Sequence, residues 1–173
     1  MKLQDRLKRI RLLLLDVDGV LTDGSIIYDD QGMETKAFNA KDGLGMRLLM
    51  DAGIEIGLIT GRSSKALKHR CQNLGISRLM DGVGDKAVAL ERVMSETGLT
   101  RDQIGFVGDD LPDMAIMARV GLRVAVSDAH PAVRGMAHMV TQQPGGRGAV
   151  RELCEAILEA KGLLEDILKK MAD

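Results

Sequence analysis

The chain has 173 residues, 45% of them hydrophobic and 28% charged, the size and balance of one domain that buries its own core, which excludes a disordered chain. Lys and Arg number 24 against 25 Asp and Glu, a formal charge of -1, and aromatics are only 2%, so neither a basic field nor a stacking surface points to nucleic acid. The apolar runs are a few residues long, far short of the roughly 18 that a membrane span needs, and residues 1–11 mix charges with leucines, unlike a signal peptide.

Along the chain, apolar runs of strand length alternate with segments of helical period. This predicts a doubly wound, Rossmann-like α/β fold, a parallel sheet with helices on both faces. The first strand is expected over residues 11–16. Residues 24–36 break the rhythm, because Ile26, Tyr28, Met33 and Thr35 alternate around the turn Asp29-Asp30-Gln31-Gly32; this is a β-hairpin signal, a small flap after the first strand. Helix 43–52, strand 55–60, helix 63–74, strand 78–81 and helix 86–97 follow. Strand 104–108, helix 112–120, strand 123–125, helix 131–137 and strand 139–140 come next, with Pro112 and Pro131 in first helical turns, where a missing N–H is harmless. Residues 144–148, Pro-Gly-Gly-Arg-Gly, read as a flexible stretch ahead of a helix over 149–171 that Gly162 can divide. The apolar stripe of that helix suits docking on the core, and a contact between subunits would use the same pattern.

No composition shift marks a boundary. One domain is expected over 1–173, with 24–36 as the hairpin flap, 144–173 as a tail and helix, and no cap domain. Cys71 and Cys154 lie in separate periodic apolar segments and read as buried thiols of a cytoplasmic protein, not as a disulfide or zinc site. The methionines read as core or flap filler, and His69, His130 and His138 have no metal-ligand spacing.

Carboxylates appear where strands end. Asp16 and Asp18 follow the leucine strand, Thr60-Gly61-Arg62 follow the second, and Asp109, Asp110 and Asp113 follow the strand at 104–108. In open parallel sheets ligands bind beyond the carboxyl ends of the strands, so the three clusters are expected on one rim. Five carboxylates together would repel by about 3 to 4 kcal/mol per close pair at an effective dielectric near 20. A cation is needed, and oxygen donors without Cys or His favour Mg²⁺. Any one of these aspartates also suits a helix cap or turn, but that reading does not explain all of them at strand ends. Lys86 follows Gly84-Asp85 at a helix start, where the dipole disfavours a cation, and this argues for an anionic partner.

The set Asp16-Val17-Asp18-Gly19-Val20-Leu21-Thr22, then Thr60, Lys86 and Gly108-Asp109-Asp110-x-x-Asp113, resembles the ordered motifs of the haloacid dehalogenase superfamily of phosphotransferases. The resemblance implies Asp16 as the nucleophile that takes the phosphoryl group and Asp18 as general acid and base. It implies Thr60 and Lys86 as holders of phosphate oxygens, and Mg²⁺ on Asp16, Asp109 and the Asp18 main-chain carbonyl. Asp113 would then orient Lys86 or support the metal shell, with Asp110 beside it.

Only 42 positions separate Asp18 from Thr60 and 26 separate Thr60 from Lys86, too few for a lid domain. A capless enzyme must act on macromolecules or borrow a roof from a neighbouring subunit, and the unpaired strand edges of the flap favour borrowing. Asp23-Gly24-x-Ile26-x-Tyr28, Lys41-Asp42-Gly43-x-Gly45, Ile59-Thr60-Gly61-Arg62-Ser63 and Gly145-Gly146-Arg147-Gly148-Ala149 look like the capless branch that dephosphorylates 3-deoxy-D-manno-octulosonate 8-phosphate in lipopolysaccharide precursor synthesis. That resemblance implies a homotetramer whose flaps meet and whose tails cover adjacent sites. A keto sugar acid carries a carboxylate far from its phosphate. Arg62 is the first candidate for it, with Arg70 and Arg147 behind, while Gly61 and Lys86 attend the phosphate. Arg62 on the phosphate instead, a nine-carbon sugar acid 9-phosphate or another small phosphate ester remain alternatives. So does a phosphorylatable signalling receiver, although its acidic pair and acceptor sit on separate strands.

Overall fold

The computed structural model describes residues 1–172, so the end of the expected domain, Asp173, lies outside the described residues. Six strands form one parallel sheet: β1 (Leu12–Leu15), β4 (Glu55–Ile59), β5 (Arg78–Met80), β6 (Ile104–Gly108), β7 (Leu122–Ala125) and β8 (Met139–Val140). Their order is β5-β4-β1-β6-β7-β8, and each lies within one residue of its expected bounds. The four leucines of β1 are fully buried because the strand pairs on both edges, with β4 and with β6, and is covered on both faces. Gly57 permits this packing, since a Cβ there would lie 2.7 Å from Leu14 and 2.9 Å from Arg78.

Helices α2 (Ala40–Asp51), α3 (Lys65–Leu74), α4 (Lys86–Thr97), α6 (Pro131–Met136) and α7 (Ala149–Ala160) connect and cover the strands. The apolar stripe of α7, Val150, Leu153, Cys154, Ile157 and Leu158, is buried in the core. Its neighbour α2 comes close because a Cβ on Gly45 would already touch Arg151 and Cys154 at 3.0 to 3.2 Å. Both cysteines are free and buried, and burial pushes each thiol up from its ordinary pKa. The expected helix over 112–120 is shorter, a 3-10 turn at Leu111–Asp113 followed by the single turn α5 (Met114–Met117). A helix not expected, α1 (Leu3–Arg9), seats Leu7 in the core and donates from Arg6 to the Gly121 carbonyl at 2.5 Å. Gly162, at φ 72°, separates α7 from α8 (Leu164–Ala172), which carries no buried residue. No described helix is long and apolar enough to cross a membrane.

The hairpin consists of β2 (Ile27–Tyr28) and β3 (Glu34–Thr35), antiparallel, around the Asp29–Gly32 turn. Asp29 accepts from the Gln31 and Met33 amides at 2.9 and 2.8 Å, and Gly32 takes the left-handed conformation that the turn demands. Residues 144–148 correct an expectation. They are not a loose stretch but are seated against the loop that follows β1, where the Gly146 amide donates to the Val20 carbonyl at 2.9 Å and the Gly145 amide to Asp128 at 3.0 Å. A Cβ on Gly145 or Gly146 would collide with the backbone of Gly19 or of Thr22 and Asp23. These glycines serve backbone-to-backbone approach, and composition alone reads the same residues as flexibility.

Candidate active site

The strand order places its reversal at β1 and β6, the pair with connections leaving in opposite directions, where a crevice opens outside the carboxyl ends. A cleft of about 650 Å³ occupies that place. Its lining includes Asp16, Asp18, Thr60, Gly61, Arg62, Lys86, Asp109, Asp110 and Asp113, so all three strand-end clusters share one rim.

Asp16 leaves β1 with its amide donating to the Val107 carbonyl at 3.0 Å. The chain then turns tightly, with the Val20, Leu21 and Thr22 amides all donating to the Val17 carbonyl, and Thr22 Oγ1 accepting from Gly19 and Gly24. Gly19 lies at φ 91°, and a Cβ there would run into the Asp109 carboxylate. Glycine is therefore what brings the loops after β1 and β6 into contact.

Lys86 is the first residue of α4, behind the cap Asp85, which accepts from the Ala87 amide at 2.8 Å. Its Nζ donates to Asp16 Oδ1 and to Asp113 Oδ1, both at 2.6 Å, and its side chain is 9% exposed. These are the anionic partners that a lysine at a helix start requires. The other Asp113 oxygen accepts from the Asp109 amide at 2.9 Å and the Asp110 amide at 3.4 Å. Asp113, 1% exposed, thus ties Lys86 to the loop after β6.

Asp16, Asp109 and Asp113 bring carboxylate oxygens within 4.8 Å of one another. Burial, then the Asp113 charge, raises the Asp16 pKa to about 6 against the opposing pull of Lys86. Burial and the charges of Asp16 and Asp113 raise Asp109 to about 8. Asp109 Oδ1 is buried without a hydrogen-bond partner. An orphaned carboxylate oxygen beside a second carboxylate is a hard-ligand site that fits Mg²⁺. Because both Asp113 oxygens are already engaged, Asp16 and Asp109 are the carboxylates left to hold an ion.

Thr60 is 2% exposed, and its hydroxyl oxygen accepts from the Arg62 amide at 3.2 Å, leaving the hydroxyl hydrogen to donate. Thr60 and Gly61 lie in the loop between β4 and α3, which begins at Lys65 with Ser64 as its cap, and not in the first turn of that helix. Arg62 faces the cleft and donates to Tyr28 Oη and Glu34 Oε2, both at 2.7 Å. Arg70, expected behind it at the substrate, is absent from the lining. It donates to the Asn39 carbonyl at 3.0 Å and lies over the Phe38 ring, fixing the start of α2. Arg147 is also outside this cleft, exposed and 3.8 Å from Asp23. The reading of the sequence missed Glu34 and Lys36, which reach Arg62 and Asp18 from the hairpin. No local signal marks them, because alternating charges at positions 34 and 36 suit an exposed hairpin edge equally well.

A family model for haloacid dehalogenase-like hydrolases matches residues 77–153. The 3-deoxy-D-manno-octulosonate 8-phosphate phosphatase of Yersinia pestis is 49% identical over 160 residues, covering 92% of this chain and 86% of that relative. A crystal structure of the Yersinia pestis phosphatase superposes with a TM-score of 0.92 at 48% identity, covering 94% of this chain and 88% of that one. A structure of the Moraxella catarrhalis phosphatase in complex with magnesium, phosphate and KDO gives 0.95 at 39% identity, covering 97% of each chain. The chain therefore belongs to the 3-deoxy-D-manno-octulosonate 8-phosphate phosphatases, a family of phosphoric monoester hydrolases among the haloacid dehalogenase-like hydrolases.

Proposed function

We propose that this chain hydrolyses 3-deoxy-D-manno-octulosonate 8-phosphate to the free sugar acid and inorganic phosphate, with Asp16 as nucleophile. The observation that carries the reading is Lys86 Nζ held at 2.6 Å from both Asp16 and Asp113 at the base of the cleft. A carboxylate approaches a phosphate dianion only when nearby positive charge offsets the repulsion, and Lys86 is placed to supply it.

An Asp16 oxygen attacks phosphorus in line, the bond from phosphorus to the sugar oxygen breaks, and Asp18, which takes up a proton as substrate binds, gives it to the departing oxygen. The product of this step is an acyl phosphate on Asp16. Asp18, now a carboxylate, takes a proton from water as the water oxygen attacks phosphorus. The bond from phosphorus to Asp16 breaks and phosphate leaves. Thr60 Oγ1 and the loop amides at Gly61 and Arg62 hold the non-bridging oxygens. Magnesium, when bound by Asp16, Asp109 and the Asp18 carbonyl, neutralises charge on the phosphoryl group. Arg62 is assigned to the sugar acid carboxylate, through Nη1, since Nη2 is held by Tyr28 and Glu34. The KDO and phosphate bound in the Moraxella catarrhalis structure and the free, buried cysteines, which suit a reducing cytoplasm, are consistent with this.

Incubating the purified chain with Mg²⁺ and a panel of sugar acid phosphates tests the reading. Phosphate release from the eight-carbon substrate is expected to exceed that from nine-carbon analogues, and Asp16→Asn is expected to abolish it. No release from any 2-keto-3-deoxy sugar acid phosphate, or full activity of the variant, rejects the reading.

A further inference from the structure

Two charged side chains of the hairpin turn inward. Lys36, which follows β3, has a side chain only 2% exposed; its Nζ pairs with Asp18 Oδ1 and lies 3.1 Å from Glu34 Oε1. Glu34 Oε2 accepts from Arg62 at 2.7 Å, and Arg62 Nε lies 3.7 Å from Asp18 Oδ2. Four side chains thus close a ring of alternating charge. The flap contributes two of them, and the loops after β1 and β4 contribute one each. Arg62 and Lys36 hold the Glu34 carboxyl down at about pKa 2.

An ordinary solvated hairpin does not bury an ammonium group, because desolvating it is costly unless carboxylates pair with it. Here the burial occurs against the carboxylate assigned to proton transfer. The ladder of β2 and β3 spans two residues on each strand, too little to hold a hairpin by itself. The ring is what fixes the flap against the cleft, and it fixes Asp18 and Arg62 in return.

We propose that Lys36 and Glu34 are positioning residues of this site: Lys36 orients the Asp18 carboxyl toward the leaving oxygen, and Glu34 holds the Arg62 guanidinium in the wall of the cleft. Each flap thereby completes the site of its own chain. The proposal rests on the roles given above to Asp18 and Arg62.

The test compares the full-length chain with Lys36→Met, Lys36→Arg and Glu34→Gln on two substrates. One is the sugar acid 8-phosphate, an alkyl ester whose leaving oxygen must receive a proton. The other is p-nitrophenyl phosphate, whose phenolate departs without one and which has no carboxylate for Arg62. Lys36→Met is expected to lower kcat on the alkyl ester by roughly 10²-fold, the usual cost of misplacing a reacting group by about 1 Å. The alkyl-to-aryl ratio of kcat/KM should fall with it, and Lys36→Arg should restore most of the loss. Glu34→Gln is expected to lower the same ratio chiefly by raising KM for the sugar acid. Equal losses on both substrates, or no loss, overturn the proposal, since loosened structure moves both together. If the wild-type chain hydrolyses other alkyl phosphates but not the sugar acid ester, the substrate reading fails. The Lys36 variants then decide the proposal on those alkyl esters.

Discussion

Lys86 stands where the α4 dipole opposes a cation, and two carboxylates at 2.6 Å offset that cost. Because the conflict is local, it is visible in the sequence as a lysine directly behind a capping aspartate. Lys36 shows the opposite case. Nothing within a few residues of it conflicts with an exposed position, and its burial follows only when the hairpin folds back over Asp18. Arg62 and Arg70 look alike in the sequence, yet one faces the cleft and the other secures a helix start. Gly19 offers a test at this scale. Its left-handed backbone and the Asp109 carboxylate beside it leave no space for a methyl group. Gly19→Ala is expected to lower kcat/KM by roughly 10²-fold, through about 1 Å of displacement, and to raise the Mg²⁺ concentration needed for half-maximal activity. A metal titration at fixed substrate checks this, and an unaltered Mg²⁺ requirement would remove Asp109 from the ligand set.

Among the elements, the strands and long helices were legible, and the short helices α1 and α5 were not. β1, β4 and β6 are apolar on both faces and bounded by polar chemistry, so their places follow from the sequence alone. α1 has seven residues and buries only Leu7, too weak a periodic signal to separate from a charged terminus. Residues 144–148 carry the composition of a loose loop, and only the nearness of Gly19 and Thr22 shows why glycine is needed there. The element after them depends on a distant cap. Asp42, 1% exposed on α2, accepts from the Gly148 amide at 3.3 Å and the Arg151 amide at 2.8 Å, satisfying the first turn of α7. Asp42→Ala is expected to lower stability by about 1 to 2 kcal/mol, the cost of a lost N-cap, read as a lower urea midpoint. Asp42→Asn should recover only part of it, because its single amide oxygen can still accept from the Arg151 amide while its NH2 group faces the Gly148 amide, a donor. An alanine variant with the wild-type midpoint would show that the contact carries no stability.

For the molecule as a whole, the exposed hairpin side chains Ile26, Ile27, Tyr28 and Met33 and the outer face of α8 leave apolar surface in solvent. The homotetramer expected from the sequence resemblance is checked by light scattering on the eluted protein: the mass of four chains is expected, and a stable monomer at working concentration overturns it. The sequence by itself determined the strands, the helices that cover them and the aspartates at strand ends, because periodicity and local turn chemistry are written in adjacent residues. Tertiary structure alone decided which strand ends meet at the β1 and β6 reversal, which arginine faces the cleft and which glycines admit another backbone. It alone decided, too, that two flap residues reach Asp18 and Arg62. These are contacts between residues far apart in the chain, and no local preference encodes which distant group will occupy the space beside a given side chain.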